Sequence, residues 1–427
     1  MSNFNPQGFD TLKIHAGYTP AEHQGSVQVP IYQTTAFEIG SPERAERLVR
    51  FEEYGLLYTR VGNPTLAALE QRVAALDGGV AALSLASGMA AVSYAILNAG
   101  ENGRVIAAEQ IYGGTYDAYR KIYPNLGVQI DTVPDVNDPD AIRKQIKKDT
   151  RAIFIESISN PVNVIADIEA IAKLAHENGL PLIVDNTLAT PYLLNPIKYG
   201  ADIVVYSATK ALQGHGALVG GLIVESPAKF DWLAGRHPQF EKKVFTFGHR
   251  NVVETFPDFP FLARARTHYL ALLGAALSPF EAYLILQGIE TLSERLKKQS
   301  ESARTVAEYL AKHPKVSWVS YPTLPGGKYR ELADKYLPRG AGGVFSFGYN
   351  GDETEIYRFL NSVKLFSYHA NLGDTRSLII NSPHTTHHEL NAEEQNRSGI
   401  YPETIRLSIG LEDVNDLIAD LEQAFGR

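Results

Sequence analysis

No cysteine occurs anywhere in the 427 residues. Disulfides, thiolate nucleophiles and cysteine-held metal are therefore excluded, and the redox compartment is left open by that criterion. Nor is there an excess of positive charge. Forty Lys and Arg stand against 48 Asp and Glu, a net of −8, which argues against a general nucleic-acid or anionic-membrane surface. No stretch approaches the roughly 20 apolar residues that span a bilayer. The segment 1–10 is polar and lacks a basic start leading into an apolar run, against a signal peptide. Low-complexity tracts and internal repeats are missing too. What is present is an ordinary globular balance, 44% hydrophobic and 21% charged. The chain is too long for one comfortable core, which predicts two lobes, and a cytoplasmic location is the economical expectation.

The first sixty residues read as an extended arm with one helix near 42–51. From Asn63 the pattern changes: Pro64 suits a first helical turn, and Leu66, Leu69, Val73 and Leu76 follow at helical spacing. Asp77-Gly78-Gly79 breaks that helix, 81–85 reads as a buried strand, and Ser87-Gly88 opens a second helix. Further strands at 104–107, 129–133, 152–156, 182–185, 203–207 and 221–225 alternate with helical stretches such as the amphipathic 165–178. Uniformly apolar strands in this rhythm predict an α/β architecture, a parallel sheet covered by helices on both faces. Residues 230–268, rich in aromatics, Pro and Arg, read as an inserted loop region. One long helix is expected from about Ala282 across Gly288 to Leu310. After it, strands at 316–319, 343–347, 377–380 and 404–408 mix with helices at 353–362 and 412–425. The expected division is an arm over 1–61, a large domain over 62–292 and an α+β domain over 293–427.

In an open parallel sheet ligands bind at the carboxyl ends of the strands. Three such ends carry polar residues that are poor core filler: Ser159-Asn160-Pro161, Asp185-Asn186-Thr187, and Ser207-Ala208-Thr209-Lys210. A fourth, Ser87-Gly88-Met89, opens a helix whose free N–H groups and dipole favour an anion such as phosphate. Singly, each piece has a plainer explanation. A lysine is usually a solvated surface group, an Asp at a strand end is often a turn former, and Ser-Gly before a helix is mostly a cap. Together they supply a phosphate cradle, a buried carboxylate and an amine on neighbouring strand ends, the three things pyridoxal phosphate needs. Gly214-His215-Gly216 with Gly220 is superficially a dinucleotide pattern, but it lies between the lysine and a strand rather than between strand and helix.

These motifs, with His15-Ala16-Gly17, Tyr58-Thr59-Arg60, Tyr112-Gly113-Gly114-Thr115 and the run from Ile405 to Glu412, resemble the Cys/Met-metabolism pyridoxal-phosphate family from about residue 10 to the end. The resemblance implies the aspartate-aminotransferase-type fold (fold type I), with a mainly parallel sheet in the large domain. It also implies a homotetramer, a dimer of dimers, whose active sites lie between subunits. It implies Lys210 as the covalent anchor and proton carrier, and Gly88, Met89, Ser207 and Thr209 as phosphate ligands. Tyr58 and Arg60 would reach the cofactor of the neighbouring subunit. Tyr112 would stack on the ring and assist proton transfer, and Asp185 would face the pyridine nitrogen. Arg406 with Asn160, and Asn371 near them, would hold the substrate carboxylate, as suits a guanidinium fork.

Within that family, the segment from Gly274 to Leu292, the run Ala370-Asn371-Leu372-Gly373-Asp374 and the insertion at 230–268 resemble the O-acetylhomoserine sulfhydrylases. That implies γ-replacement on O-acetyl-L-homoserine by sulfide or a thiol, giving homocysteine or methionine and acetate. The alternatives are a methionine or homocysteine γ-lyase, a cystathionine γ-synthase, and a non-enzymatic binding module on the same fold. Gly114 stands where γ-lyases often carry cysteine, and Tyr206 replaces the more usual His or Asn before the serine. The cluster His384-Thr385-Thr386-His387-His388 has no accompanying carboxylate pattern and is read as a family loop rather than a metal site.

Overall fold

The computed structural model describes residues 7–244, 247–388 and 390–426; the first six residues of the expected arm, and residues 245 and 246 of the expected insertion, lie outside it. Seven strands form the larger sheet: β1 Ala81–Leu85, β2 Gly103–Ala108, β3 Val128–Val133, β4 Thr150–Glu156, β5 Leu182–Asp185, β6 Ile203–Ser207 and β7 Gly221–Glu225. Their order is β1-β7-β6-β5-β4-β2-β3. All run parallel except β7, which is antiparallel to both neighbours. The sheet is therefore mainly parallel rather than wholly so. A hydrophobic run buried on both faces carries no mark of direction, so the reversal is invisible in the strand itself.

Both faces are covered. Alternate residues of one strand enter different cores: Ile153 and Ile155 of β4 join one apolar cluster, Ala152 and Phe154 the other. The first cluster continues without a break into Phe345, Phe347, Ile405 and Leu407 of the second sheet. That sheet comprises β8 Val316–Val319, β9 Val344–Tyr349, β10 Ser367–Tyr368, β11 Leu378–Asn381 and β12 Thr404–Ser408, ordered β10-β11-β12-β9-β8.

Three expectations need correction. The arm holds, besides α2 (Pro42–Val49), a helix α1 (Phe9–His15). Its buried Lys13 donates to Ser293 Oγ at 2.5 Å and to Glu294 at 2.6 Å, partners too far along the chain for local patterning to reveal. The region 230–268 is not a loose loop. It contains short helices at Pro238–Glu241, Val252–Thr255 and Pro260–Arg264, and Trp232 stacks on Phe240 with ring centroids 4.5 Å apart. The single long helix is two, Pro279–Glu290 and Leu292–Leu310. A Cβ on Gly288 would stand 2.3 Å from the Gln213 carbonyl oxygen, and Arg295 donates to Gly288 O at 2.6 Å and Ala211 O at 2.9 Å. The break thus clamps the segment that follows Lys210.

Helices precede and follow β1, and the second opens at the site. In α3 (Pro64–Asp77), Asn63 caps the start by accepting from Thr65 N, and Gly78 ends it in the left-handed region at φ 71°. In α4 (Gly88–Gly100), the Ser87 side chain accepts from Ala90 N. A Cβ on Gly88 would lie 2.5 Å from Ser207 Cβ, so only glycine lets the start of α4 press against the end of β6.

Candidate active site

The carboxyl ends of β1, β4, β5 and β6 open on a cavity of about 240 Å³, closed from the far side by the second sheet. Its wall includes Gly88, Met89, Tyr112, Asn160, Asp185, Ser207, Thr209, Lys210, Asn371 and Arg406. Ten of the twelve residues singled out in the sequence are thus brought together. Tyr58 and Arg60 are not. They are exposed, with the Arg60 guanidinium 5.0 Å from the Tyr58 ring centroid, and do not line this cavity.

Lys210 sits on the turn leaving β6, its backbone tied by Lys210 N to Ser207 O (3.2 Å) and Gly214 N to Lys210 O (2.8 Å). Its Nζ donates to Asn371 Oδ1 at 2.8 Å. Burial, and then the Arg406 charge, push its pKa down to about 8. A group of that kind carries and yields a proton near neutral pH, which an exposed lysine does not.

Asp185 ends β5 and accepts from Thr187 N at 2.9 Å; burial pushes its pKa up. Beside it, in register on β4, stands Glu156, raised by burial and by the charge of Asp185. Sequence reading passed over Glu156, although an acid at a strand end next to Asp185 was a visible signal. Thr187 Oγ1 accepts from Ser207 N at 2.8 Å, linking the ends of β5 and β6. Thr209 Oγ1 accepts from Gly220 N at 3.0 Å, so the turn is rigid where its hydroxyl meets the cavity.

From the second sheet, Arg406 on β12 reaches the same cavity. Its Nη1 donates to Asn160 Oδ1 at 3.1 Å and its Nη2 to the Asn371 carbonyl at 2.8 Å. Among the described residues no carboxylate pairs with this buried guanidinium, and burial lowers its pKa to about 10. A buried cation held only by neutral acceptors is a seat for an incoming carboxylate. Tyr112 closes the cavity as the residue before the helix α5 (Gly113–Lys121).

The donor set fits pyridoxal phosphate. An amine of lowered pKa can meet the aldehyde, and a buried carboxyl lies one strand away for the ring nitrogen. The N–H groups opening α4, with the Ser207 and Thr209 hydroxyls, can meet the phosphate. Among the described residues, no group of three His, Asp or Glu gathers to hold a metal ion.

Comparison with known proteins agrees with this geometry. The family described as Cys/Met metabolism PLP-dependent enzyme matches residues 10–426. The O-acetyl-L-homoserine sulfhydrylase of Leptospira meyeri is 42% identical over 99% of this chain and 97% of its own length. The homocysteine synthase of Schizosaccharomyces pombe is 40% identical, with 97% of each chain covered. A crystal structure from Campylobacter jejuni, assigned as an O-acetylhomoserine (thiol)-lyase and containing a pyridoxyl-lysine phosphate, superposes with a TM-score of 0.95. It is 40% identical over 98% of this chain and 100% of its own. The chain is a member of the Cys/Met-metabolism family of pyridoxal-phosphate-dependent enzymes.

Proposed function

We propose that the protein catalyses γ-replacement on O-acetyl-L-homoserine, with sulfide or a small thiol entering and acetate leaving, to give L-homocysteine or L-methionine. The observation that carries this reading is the pairing of Lys210 and Arg406. One side chain is poised to move a proton, and the other to seat an amino-acid carboxylate, across one cavity. Relatives bearing the sulfhydrylase and homocysteine synthase names support the choice of substrate.

Pyridoxal phosphate supplies, when bound, an electron sink for charge developing on the substrate's carbon skeleton. The residues of the chain do the rest. Arg406 Nη1 and Nη2, with Asn160, fix the carboxylate and so aim the α-hydrogen. Lys210 Nζ anchors the cofactor, takes that proton once freed, and returns protons later in the cycle. Asp185 would meet the ring nitrogen and keep it protonated. Gly88, Met89, Ser207 and Thr209 would hold the phosphate. Tyr112, on the cavity wall, would stack on the ring and assist departure of acetate from Cγ, while Asn371 accepts from Lys210 Nζ and would keep it in place between proton transfers.

The exposed pair Tyr58 and Arg60 completes the cofactor site of a neighbouring subunit, reached by the arm 1–61. The assembly is accordingly a homotetramer built as a dimer of dimers, its subunits divided into a large domain over 62–292 and a smaller one over 293–427. No helix among the described residues is long and apolar enough to cross a membrane. We place the enzyme in the cytoplasm, in sulfur amino-acid synthesis.

The test is incubation of the purified yellow protein with O-acetyl-L-homoserine, with and without sulfide. Homocysteine formed only with sulfide is expected; 2-oxobutanoate and ammonia formed equally in its absence would make the protein a γ-lyase. Lys210→Ala is expected to abolish the visible absorption of the bound cofactor and lower turnover by roughly 10²–10⁴-fold or more.

A further inference from the structure

Glu70 lies buried in the middle of α3, where a carboxylate needs polar partners. Its Oε1 accepts from Ser84 N at 2.9 Å and from Ser84 Oγ at 2.8 Å, and its Oε2 accepts from Arg266 Nη2 at 2.6 Å. Ser84 belongs to β1, the strand that leads into Ser87-Gly88 and the start of α4. Arg266 comes from the far end of the region 230–268, in the helical stretch Ala265–Leu270. Its other fork nitrogen, Nη1, donates to the Val61 carbonyl at 2.8 Å.

Val61 closes the turn that presents Tyr58 and Arg60. Its N–H donates to Tyr58 O at 3.0 Å, so a hold on Val61 is a hold on both ends of the turn. The turn is also tied within the arm, by Thr59 N to Thr35 O at 2.9 Å, and Asn63 Nδ2 donates to Thr59 Oγ1 at 3.1 Å. Arg266 adds a tie from outside the arm. One guanidinium thus bridges the exposed turn to a carboxylate that is itself fastened to β1.

We propose that Arg266 is a positioning residue for the cofactor site of a neighbouring subunit, fixing the 58–61 turn so that Arg60 is presented to that subunit at a set place. The proposal rests on the reading that Tyr58 and Arg60 complete a neighbour's cofactor site. The residue type suits the task. A buried ion pair contributes little net stability compared with apolar side chains of the same volume. What a planar fork does supply is direction: it holds a carboxylate and a carbonyl at a fixed separation, which the point charge of a lysine does less rigidly. Because Glu70 also receives Ser84, the turn offered to the neighbour is braced on the strand that opens this subunit's own phosphate cradle.

The assignment predicts a defect that acts between chains. Arg266→Met holoenzyme is expected to lose the visible absorption of its Lys210-linked cofactor during dialysis about tenfold faster than the parent. The Arg266→Met chain is then co-expressed with an excess of Lys210→Ala chain and purified by a tag of its own. In that hybrid Lys210 belongs to the Arg266→Met chain alone, while the arm reaching its site comes from a chain with Arg266 intact. The parental rate of loss is expected to return. A merely structural defect would follow the Arg266→Met chain into the hybrid, so a rate still fast there overturns the proposal, as does a parental rate in the unmixed variant. Should Arg266→Met fail to fold with Glu70 unpaired, Glu70→Gln combined with Arg266→Met removes both charges, keeps an acceptor for Ser84 and goes through the same two arms. Arg60→Ala is the companion measurement: a parental rate in its unmixed form sinks the reading that Arg60 meets a cofactor, a result distinct from failure of Arg266 alone.

Discussion

Glu156 and Asp185 are register partners at the ends of two adjacent parallel strands, so a buried and a half-buried carboxyl stand side by side at the head of the cavity. They are not equivalent. Glu156 Oε1 accepts from Tyr112 N at 2.8 Å and its Oε2 from Asn160 N at 3.0 Å, whereas Asp185 accepts from Thr187 of its own turn. One strand end thus ties down both the loop bearing the aromatic lid and the loop bearing the carboxylate seat. Glu156→Ala would leave one part-buried and one buried N–H group without partners, at about 1–3 kcal/mol each. A melting temperature lower by several degrees and weakened amino-acid binding are expected. Glu156→Gln, which keeps one carbonyl acceptor, should lose about half as much. Superimposable melting curves for the alanine variant and its parent would remove Glu156 from this role.

Lys210 makes a pH prediction for the cofactor-free chain. Its folded pKa is lowered from the usual lysine range to about 8, so the amine is protonated below that value and neutral above it. Only the neutral amine can attack an aldehyde. Capture of pyridoxal phosphate, followed by its visible absorption, is expected to accelerate roughly tenfold per pH unit on the acid side and level off above about pH 8. Arg406→Gln removes a neighbouring like charge and should move the inflection upward. A plateau reached only near pH 10 would mean that Lys210 behaves as a solvated lysine.

Much of this arrangement is legible in the sequence because it is local. The strands at 182–185, 203–207 and 221–225 are short apolar runs between turn signals, and Asp185, Ser207 and Lys210 announce themselves by polarity at the ends of such runs. What escaped was set by distant partners. Helix α1 depends on Ser293 and Glu294 to receive Lys13. The helix expected over 282–310 breaks at Thr291, between Gly288, packed on the Gln213 backbone, and Arg295, which reaches back to Gly288 O. The direction of β7 leaves no trace in a strand buried on both sides. His387 was conspicuous as part of a cluster, but only the fold shows that it is fully buried while His384 and His388 stay exposed.

Gly114 shows how tightly the aromatic lid is fitted. A Cβ there would lie 2.7 Å from Tyr112 Cε1 and 3.1 Å from Cζ, so any side chain must displace the ring. Its φ is not in the left-handed region, so the backbone itself tolerates alanine. Gly114→Ala should therefore leave the melting temperature equal or slightly higher, since alanine favours helix by up to about 1 kcal/mol. The visible absorption should shift, and kcat should fall about tenfold for a misplaced proton-transfer group. Parental kcat with a parental spectrum would show that the Tyr112 ring is not fixed by this contact.

Asp77 sets the last prediction, away from the cavity. It ends α3 fully buried: its Oδ2 accepts from the Tyr206 hydroxyl at 2.7 Å, while its Oδ1 has no partner. The same hydroxyl accepts from Asn186 Nδ2 at 3.0 Å, and Asn186 Oδ1 accepts from Ser157 Oγ at 2.7 Å, so Tyr206 and Asp77 form one buried chain behind the sheet. Burial, partly offset by the Tyr206 hydrogen bond, pushes the Asp77 pKa up to about 7. The folded state thus prefers the neutral acid, whose full contribution is present below about pH 4. As pH rises from there through 7 the unfolded chain ionises first and stability is lost, by ~1.4 kcal/mol per pH unit and ~4 kcal/mol in all. Asparagine keeps an acceptor for Tyr206 and cannot ionise. The stability of Asp77→Asn relative to its parent, from denaturant unfolding at fixed temperature, is expected to climb between about pH 4 and 7 and stay constant above. A difference that does not vary with pH would mean that Asp77 is ionised and fully satisfied where it lies.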